Sequence, residues 1–207
     1  MKDEELWQLH EGAAESDLAQ YFKDQMFASR PLNLRRSDTQ PMLRHTFPLW
    51  DSTYPVSNPV PDVLYGYSRE VAFSGRVKQL ARLDGGEAGA ANTLGLVYPF
   101  FVAEFKGDGP SGAGSLWVAT NQCLCAAAYC VNIANRLNRQ VGECKSRNGQ
   151  QVDSVAFSVA MNSTEARLFV SWSENDTDIY MRQVEAFALA RPEHHLEFRR
   201  YVRNILD

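Results

Sequence analysis

Asp62, Glu104 and Lys106 have the types and the spacing to do chemistry together in this chain. Glu104 and Lys106 stand two residues apart near the end of the run YPFFVAEFKGDGP, Tyr98 to Pro110. Residues two apart on a strand share a face, so this carboxylate and ammonium would point the same way. The residues before them are apolar on both faces, with Phe100 and Val102 on one and Phe101, Ala103 and Phe105 on the other. That pattern reads as a central strand covered on both sides. Ionised groups at the end of such a strand are costly unless something compensates them. Asp62 follows Pro61 at the head of PDVLYGYS and reads as the start of a second strand. Two carboxylates from adjacent strands can share one Mg²⁺ or Mn²⁺, while a lysine beside them orients water or stabilises developing charge. Those are the requirements of phosphodiester hydrolysis.

Positioning these groups needs a sheet and helices, and the sequence supplies both. Residues 3–29 read as a helix with a partial apolar stripe that includes Leu6, Leu18, Phe22 and Met26. Residues 31–61 hold six of the nine prolines and read as an extended segment wrapped on the body. A short helix and a glycine-rich loop follow the PDVLYGYS strand within RVKQLARLDGGEAGAANT. After the GDGPSGAG loop, a long helix spans about Ser115 to Arg139, with Leu116, Thr120, Cys123/Leu124, Ala127, Val131 and Ala134 on its buried side. Trp117 and Tyr129 read as core residues. The final third alternates as a hairpin, with Val155, Phe157, Val159 and Met161 on one strand and Leu168, Val170 and Trp172 on the other. DIYMRQVEAFAL reads as a further strand, and RPEHHLEFRRYVRNILD as a closing helix with proline in its first turn. The expected class is α/β (α+β): one domain over 1–207, with a helical region at 1–30, a wrapping segment at 31–60 and a core at 61–207.

Composition narrows the function less than the motif does. A net charge of −4 argues weakly against a generic nucleic-acid coat. Residues 1–24 carry seven acids and two lysines, a balance of −5, which leaves +1 for the rest. Basic clusters stand at Arg35/Arg36/Arg44, Arg136/Arg139/Lys145/Arg147 and Arg199/Arg200/Arg203. The four cysteines, at 123, 125, 130 and 144, form no CxxC pair, so zinc is not expected and free thiols are. The segment from Gly109 to Asn135 has no charge, yet its glycines and amides suit a buried core helix better than a membrane span. The start MKDEELWQLHEG has no apolar signal region, so an intracellular setting, nucleus or cytoplasm, is expected.

The PD…E-x-K pattern on successive strands resembles that of the PD-(D/E)XK, or restriction-endonuclease-like, nuclease superfamily. YPFFVAEFKGDGPSGAGSLWVATNQCLCAAAYCVNIANRLN, ARLFVSW and EFRRYVRNILD are similar to nuclease-like domains of uncharacterised fungal proteins. The resemblance covers most of the chain from about Pro61 onward. It implies a central mixed sheet flanked by helices, a Mg²⁺ or Mn²⁺ cofactor and a nucleic-acid partner, DNA above all. It assigns Asp62 and Glu104 to the metal, with the backbone carbonyl of Phe105 as a further ligand and Lys106 as the catalytic lysine. Gln122 matches a glutamine that related nucleases carry on the following helix. The tyrosine that some relatives place four residues later is here Ala126, with Tyr129 seven residues on. A glutamate on the first helix is also implied, with Glu11 and Glu15 both eligible. A homodimer, or further domains in a longer parent chain, fits the same resemblance. So does a degenerate fold that binds nucleic acid or protein without turnover.

Overall fold

The computed structural model describes residues 14–27, 31–44, 57–75, 89–107, 115–143, 151–175 and 178–207. They build an α+β fold in which one mixed sheet of six strands is flanked by helices. The strands are β1 (Leu34–Ser37), β2 (Val63–Ser68), β3 (Leu96–Phe105), β4 (Val155–Met161), β5 (Glu165–Ser173) and β6 (Ile179–Ala188), and they lie side by side in sequence order. Only β3 and β4 run parallel; every other neighbouring pair is antiparallel. A parallel pair needs a crossover, and the long helix α3 (Leu116–Glu143) provides it. The other helices are α1 (Glu15–Gln25), the single turn α2 (Arg69–Ala72) and α4 (Pro192–Leu206).

The period-two alternation of the central strands divides the core in two. Val63, Tyr65, Phe101, Ala103, Phe105, Val159 and Met161 face α1 and α4 and meet Leu18, Phe22, Phe198 and Val202. Leu64, Val102 and Ala156 face α3 and meet Ala126, Ala127 and Cys130. α3 therefore lays small side chains on the sheet, with Ala119 and Cys123 continuing the same contact over Ala160. This differs in part from the stripe expected from the sequence: Leu124 is 38% exposed and Trp117 72% exposed. Bulk explains the difference, because alanine and cysteine let the helix axis approach β3 and β4 while leucine and tryptophan are turned outward. Tyr129 is buried, as expected. α3 is long and apolar enough to cross a membrane, but its apolar face is the one packed on the sheet. It also runs four residues past Arg139, to Glu143.

Phe100 also departs from its expected face. It packs with the α1/α4 core beside Tyr67, because β3 is irregular at Tyr98–Phe100. Tyr65 pairs with Phe101 but Tyr67 with Val97, and Tyr98 has φ +46°. Gly66 fills the gap: a Cβ there would come within 2.7 Å of the Val97 carbonyl oxygen and 3.0 Å of the Pro99 Cα. The C-terminal end of α1 is closed by Arg36, whose Nη1 donates to the Lys23 and Phe27 carbonyls at 2.9 Å each. The Tyr65 hydroxyl donates to the same Phe27 carbonyl. β6, the edge strand among the described residues, carries a register shift opposite Leu168/Phe169, and the Ala186 and Ala188 N–H groups donate to Glu185 Oε1 and His194 Nδ1. Such features blunt an edge against further pairing. The short helix expected after β2 falls on 76–88, outside the described residues, as does the chain before Ala14.

Gly66→Ala is expected to cost about 2 kcal/mol, because the added methyl meets backbone that cannot rotate away. Chemical denaturation of the two proteins checks this. An unchanged midpoint would show that the bulge can yield.

Candidate active site

The β2–β3 register brings the two acids together. Val63 stands opposite Ala103 and Leu64 opposite Val102, so Asp62 falls opposite Glu104 and Pro61 opposite Phe105. Like charges directly opposite on an antiparallel pair repel, so this pairing needs a reason. Proline supplies part of the geometry. It has no N–H, so the ladder cannot continue past Val63, and the Pro61 carbonyl instead accepts from Thr39 N–H at 3.0 Å. The Phe105 N–H, left without that acceptor, donates to Asp62 Oδ2 at 2.9 Å. In extended backbone a residue's N–H and C=O face the same neighbouring strand. The Phe105 carbonyl therefore faces the β2 side, opposite Pro61, which has no N–H to donate.

Glu104 is 2% exposed and Lys106 9%. Burial, then the neighbouring Asp62 carboxylate, pushes the Glu104 carboxyl up to about 9, against the pull of Lys106. Its carboxyl is within hydrogen-bonding reach of Asp62, so the metal-free pair holds a proton between them at neutral pH. The Lys106 N–H donates to the Met161 carbonyl at 2.9 Å, which fixes the strand end on β4. Its Nζ lies 3.2 Å from Glu15 Oε1, at the start of α1. The other oxygen of Glu15 accepts from the Gly107 N–H at 3.4 Å. Glu15 is thus the first-helix acid that joins the cluster; Glu11 lies outside the described residues. Gly107 makes this approach possible, since a Cβ there would sit 2.9 Å from the Glu15 nitrogen.

On the other side of the acids stands α3. Cys123 packs over Ala160, and burial followed by the charge of Glu104 raises its thiol well above the usual range. It is a neutral wall, not a nucleophile. Gln122, Cys125 and Tyr129 recur at helical spacing on one side of α3. The Cys125 thiol donates to the Ser57 carbonyl at 3.8 Å, and the Tyr129 hydroxyl to Asn58 Oδ1 at 3.3 Å. These contacts pin the segment that leads into Pro61 and Asp62. Gln122 lies one turn before Cys125, exposed, and hydrogen-bonded to none of Asp62, Glu104 or Lys106. Tyr129 therefore holds the approach to the site and does not pair with Gln122.

Two carboxylates and one free carbonyl make an oxygen-only donor set, which suits Mg²⁺ or Mn²⁺ and not a thiolate-loving metal. Among the described residues no three His, Cys, Asp or Glu side chains converge as a metal group. That is compatible with Mg²⁺, which usually takes one or two carboxylates and keeps several waters. Pro61 and Gly107 are the residues whose part sequence reasoning missed. The signal was their adjacency, a residue lacking an N–H just before the first acid and one lacking a side chain just after the lysine.

A family model described as a domain of unknown function, DUF7924, matches residues 4–207. The chain belongs to that family. No curated protein and no solved structure matches it. For this DUF7924 chain the site therefore stands on its own geometry.

Because the folded chain keeps a proton on Glu104 that the unfolded chain releases near pH 4.5, metal-free stability should fall as pH rises through the interval up to about 9 and level off above it. Glu104→Gln should flatten that fall and raise stability at pH 8 by ~2 kcal/mol or more. Denaturation midpoints in chelator from pH 5 to 9 check this, and parallel slopes for the two proteins would contradict it.

Proposed function

We propose that this chain is a Mg²⁺- or Mn²⁺-dependent nuclease of PD-(D/E)XK type that hydrolyses nucleic-acid phosphodiester bonds, with DNA as the expected substrate. The observation that carries this reading is the placement of Asp62 opposite Glu104, with Lys106 and Glu15 beside them. A structural ion pair would not require two acids face to face, one of them buried and held protonated by that burial and by its neighbour.

Asp62, Glu104 and the Phe105 carbonyl would hold the ion, which when bound supplies Lewis-acid stabilisation of charge on the phosphate. Glu104 must surrender its proton to take part, so alkaline pH favours loading. Lys106, held at its Nζ by Glu15, would orient a water for in-line attack at phosphorus. As the new P–O bond forms and the bond to the leaving oxygen breaks, its ammonium offsets the added negative charge. Gln122, exposed on α3 one turn before Cys125, would meet the substrate. A second reading, a nuclease-like fold that binds without turnover, draws on the absence of a three-side-chain metal group among the described residues.

Purified protein should cut plasmid or single-stranded DNA with Mn²⁺ or Mg²⁺ and stop with chelator. Asp62→Asn, Glu104→Gln and Lys106→Ala should each lower the rate 100-fold or more. Cleavage that persists in all three would place the chemistry elsewhere, and metal-dependent binding without cleavage would favour the second reading.

A further inference from the structure

Two of the three basic clusters have an arginine engaged in the fold, while Arg44 and Arg139 in them are exposed and form no ion pair with a described residue. Arg36 closes the end of α1 and meets Asp38, while Arg35 lies 3.6 Å from Glu70. Arg136 belongs to α3 and has its own interactions, and Lys145 and Arg147 lie outside the described residues. The third cluster differs. Arg199, Arg200 and Arg203 stand at helical spacing on the outer side of α4 and are all exposed. The inner side of the helix is fixed to the core by Phe198, Val202 and Leu206. None of the three arginines forms an ion pair with a described residue. Glu193, the acid of the first turn, is already taken by Arg191 at 2.7 Å. Glu197 on the helix and Asp207 at its C-cap reach none of the three within ion-pair distance.

The topology decides at which end of the sheet α4 begins. β6 runs parallel to β3 and β4, and the registers put Glu104, Ala160, Arg167 and Ala186 in one row across the sheet. α4 begins four residues after β6 ends, so its N-terminus lies at the same end of the sheet as the acids. Arg199 and Arg200 stand about two turns into α4, and Arg203 one turn farther from that end. The acids lie on the α3 side of the sheet, but Lys106 reaches round its end to Glu15 on the α1/α4 side.

We propose that the Arg199/Arg200/Arg203 face of α4 binds the phosphate backbone of the nucleic acid flanking the cleaved bond. The inference rests on the nuclease reading for its substrate, but its test reads binding alone. Unpaired arginines on a rigid helix suit phosphate, each releasing a condensed counterion on contact. An acidic chain with a net charge of −4 needs such a local patch to hold a polyanion.

The test is fluorescence anisotropy of the full chain with a labelled 20-mer DNA duplex in chelator, across a salt series. The proteins are wild type, Arg199→Gln/Arg200→Gln/Arg203→Gln, and Lys106→Ala. The triple variant should bind at least 10-fold more weakly at low salt and lose about two to three from the salt slope, while circular dichroism stays unchanged. Lys106→Ala should keep the slope to within about one. Equal slopes for wild type and triple variant would overturn the proposal, whether or not the protein cuts DNA. So would arginine-dependent binding to anionic vesicles without binding to DNA. Loss of cleavage in Lys106→Ala with retained, arginine-dependent binding separates the two claims. Arg199→Lys/Arg200→Lys/Arg203→Lys, which keeps the charge, should restore most of the affinity, and failure to do so would count against a phosphate-binding face.

Discussion

Two carboxyl groups facing each other across β2 and β3 are the constraint around which the rest of this end of the molecule is arranged. Such a pair is unfavourable in isolation, and burial makes it more so. The protein tolerates it by keeping a proton between Asp62 and Glu104, by giving one Asp62 oxygen the Phe105 N–H, and by bringing Lys106 alongside. Each of these depends on a different element. The Phe105 N–H is available because proline ends the ladder; Lys106 is aimed because α1 offers it Glu15. Remove the acids and the remaining arrangement has no evident purpose.

The scaffold serves that arrangement through close packing. Alanine and cysteine on α3 let the helix lie directly on β3 and β4, and the same helix, through Cys125 and Tyr129, holds the chain entering Pro61. On the other face α1 is fixed by Phe22 against Phe105 and by Arg36 and Tyr65 at its far end. Helix position and site geometry are therefore coupled: a shift of α1 along its axis would carry Glu15 away from Lys106.

Much of this was legible in residues. The doubly apolar strand, the E-x-K at its end, the hairpin and the proline-led closing helix all follow from local periodicity and turn chemistry, which act over a few residues. What was not legible acts at a distance. Glu15 and Lys106 are 91 residues apart in the chain, and nothing local distinguishes Glu15 from Glu11. The buried side of α3 was misread at Leu124 and Trp117 because hydrophobicity was taken as a proxy for burial, while the contact selects small size. Phe100 changed sides because a bulge resets alternation, and only Gly66 on the neighbouring strand hinted at it. Ala126 and Tyr129 were both visible in the sequence, but the use of Tyr129 as an anchor for Asn58 required the tertiary structure.

The central claim is that Asp62, Glu104 and the Phe105 carbonyl form one oxygen site for a divalent cation. Anomalous diffraction from crystals soaked in Mn²⁺ tests it most directly. The account predicts a peak ~2.1–2.4 Å from an oxygen of each of the three, with the Asp62 and Glu104 carboxylates turned toward it. Crystals whose Mn²⁺ peaks all lie elsewhere, with the two carboxyls still sharing a proton, would contradict it.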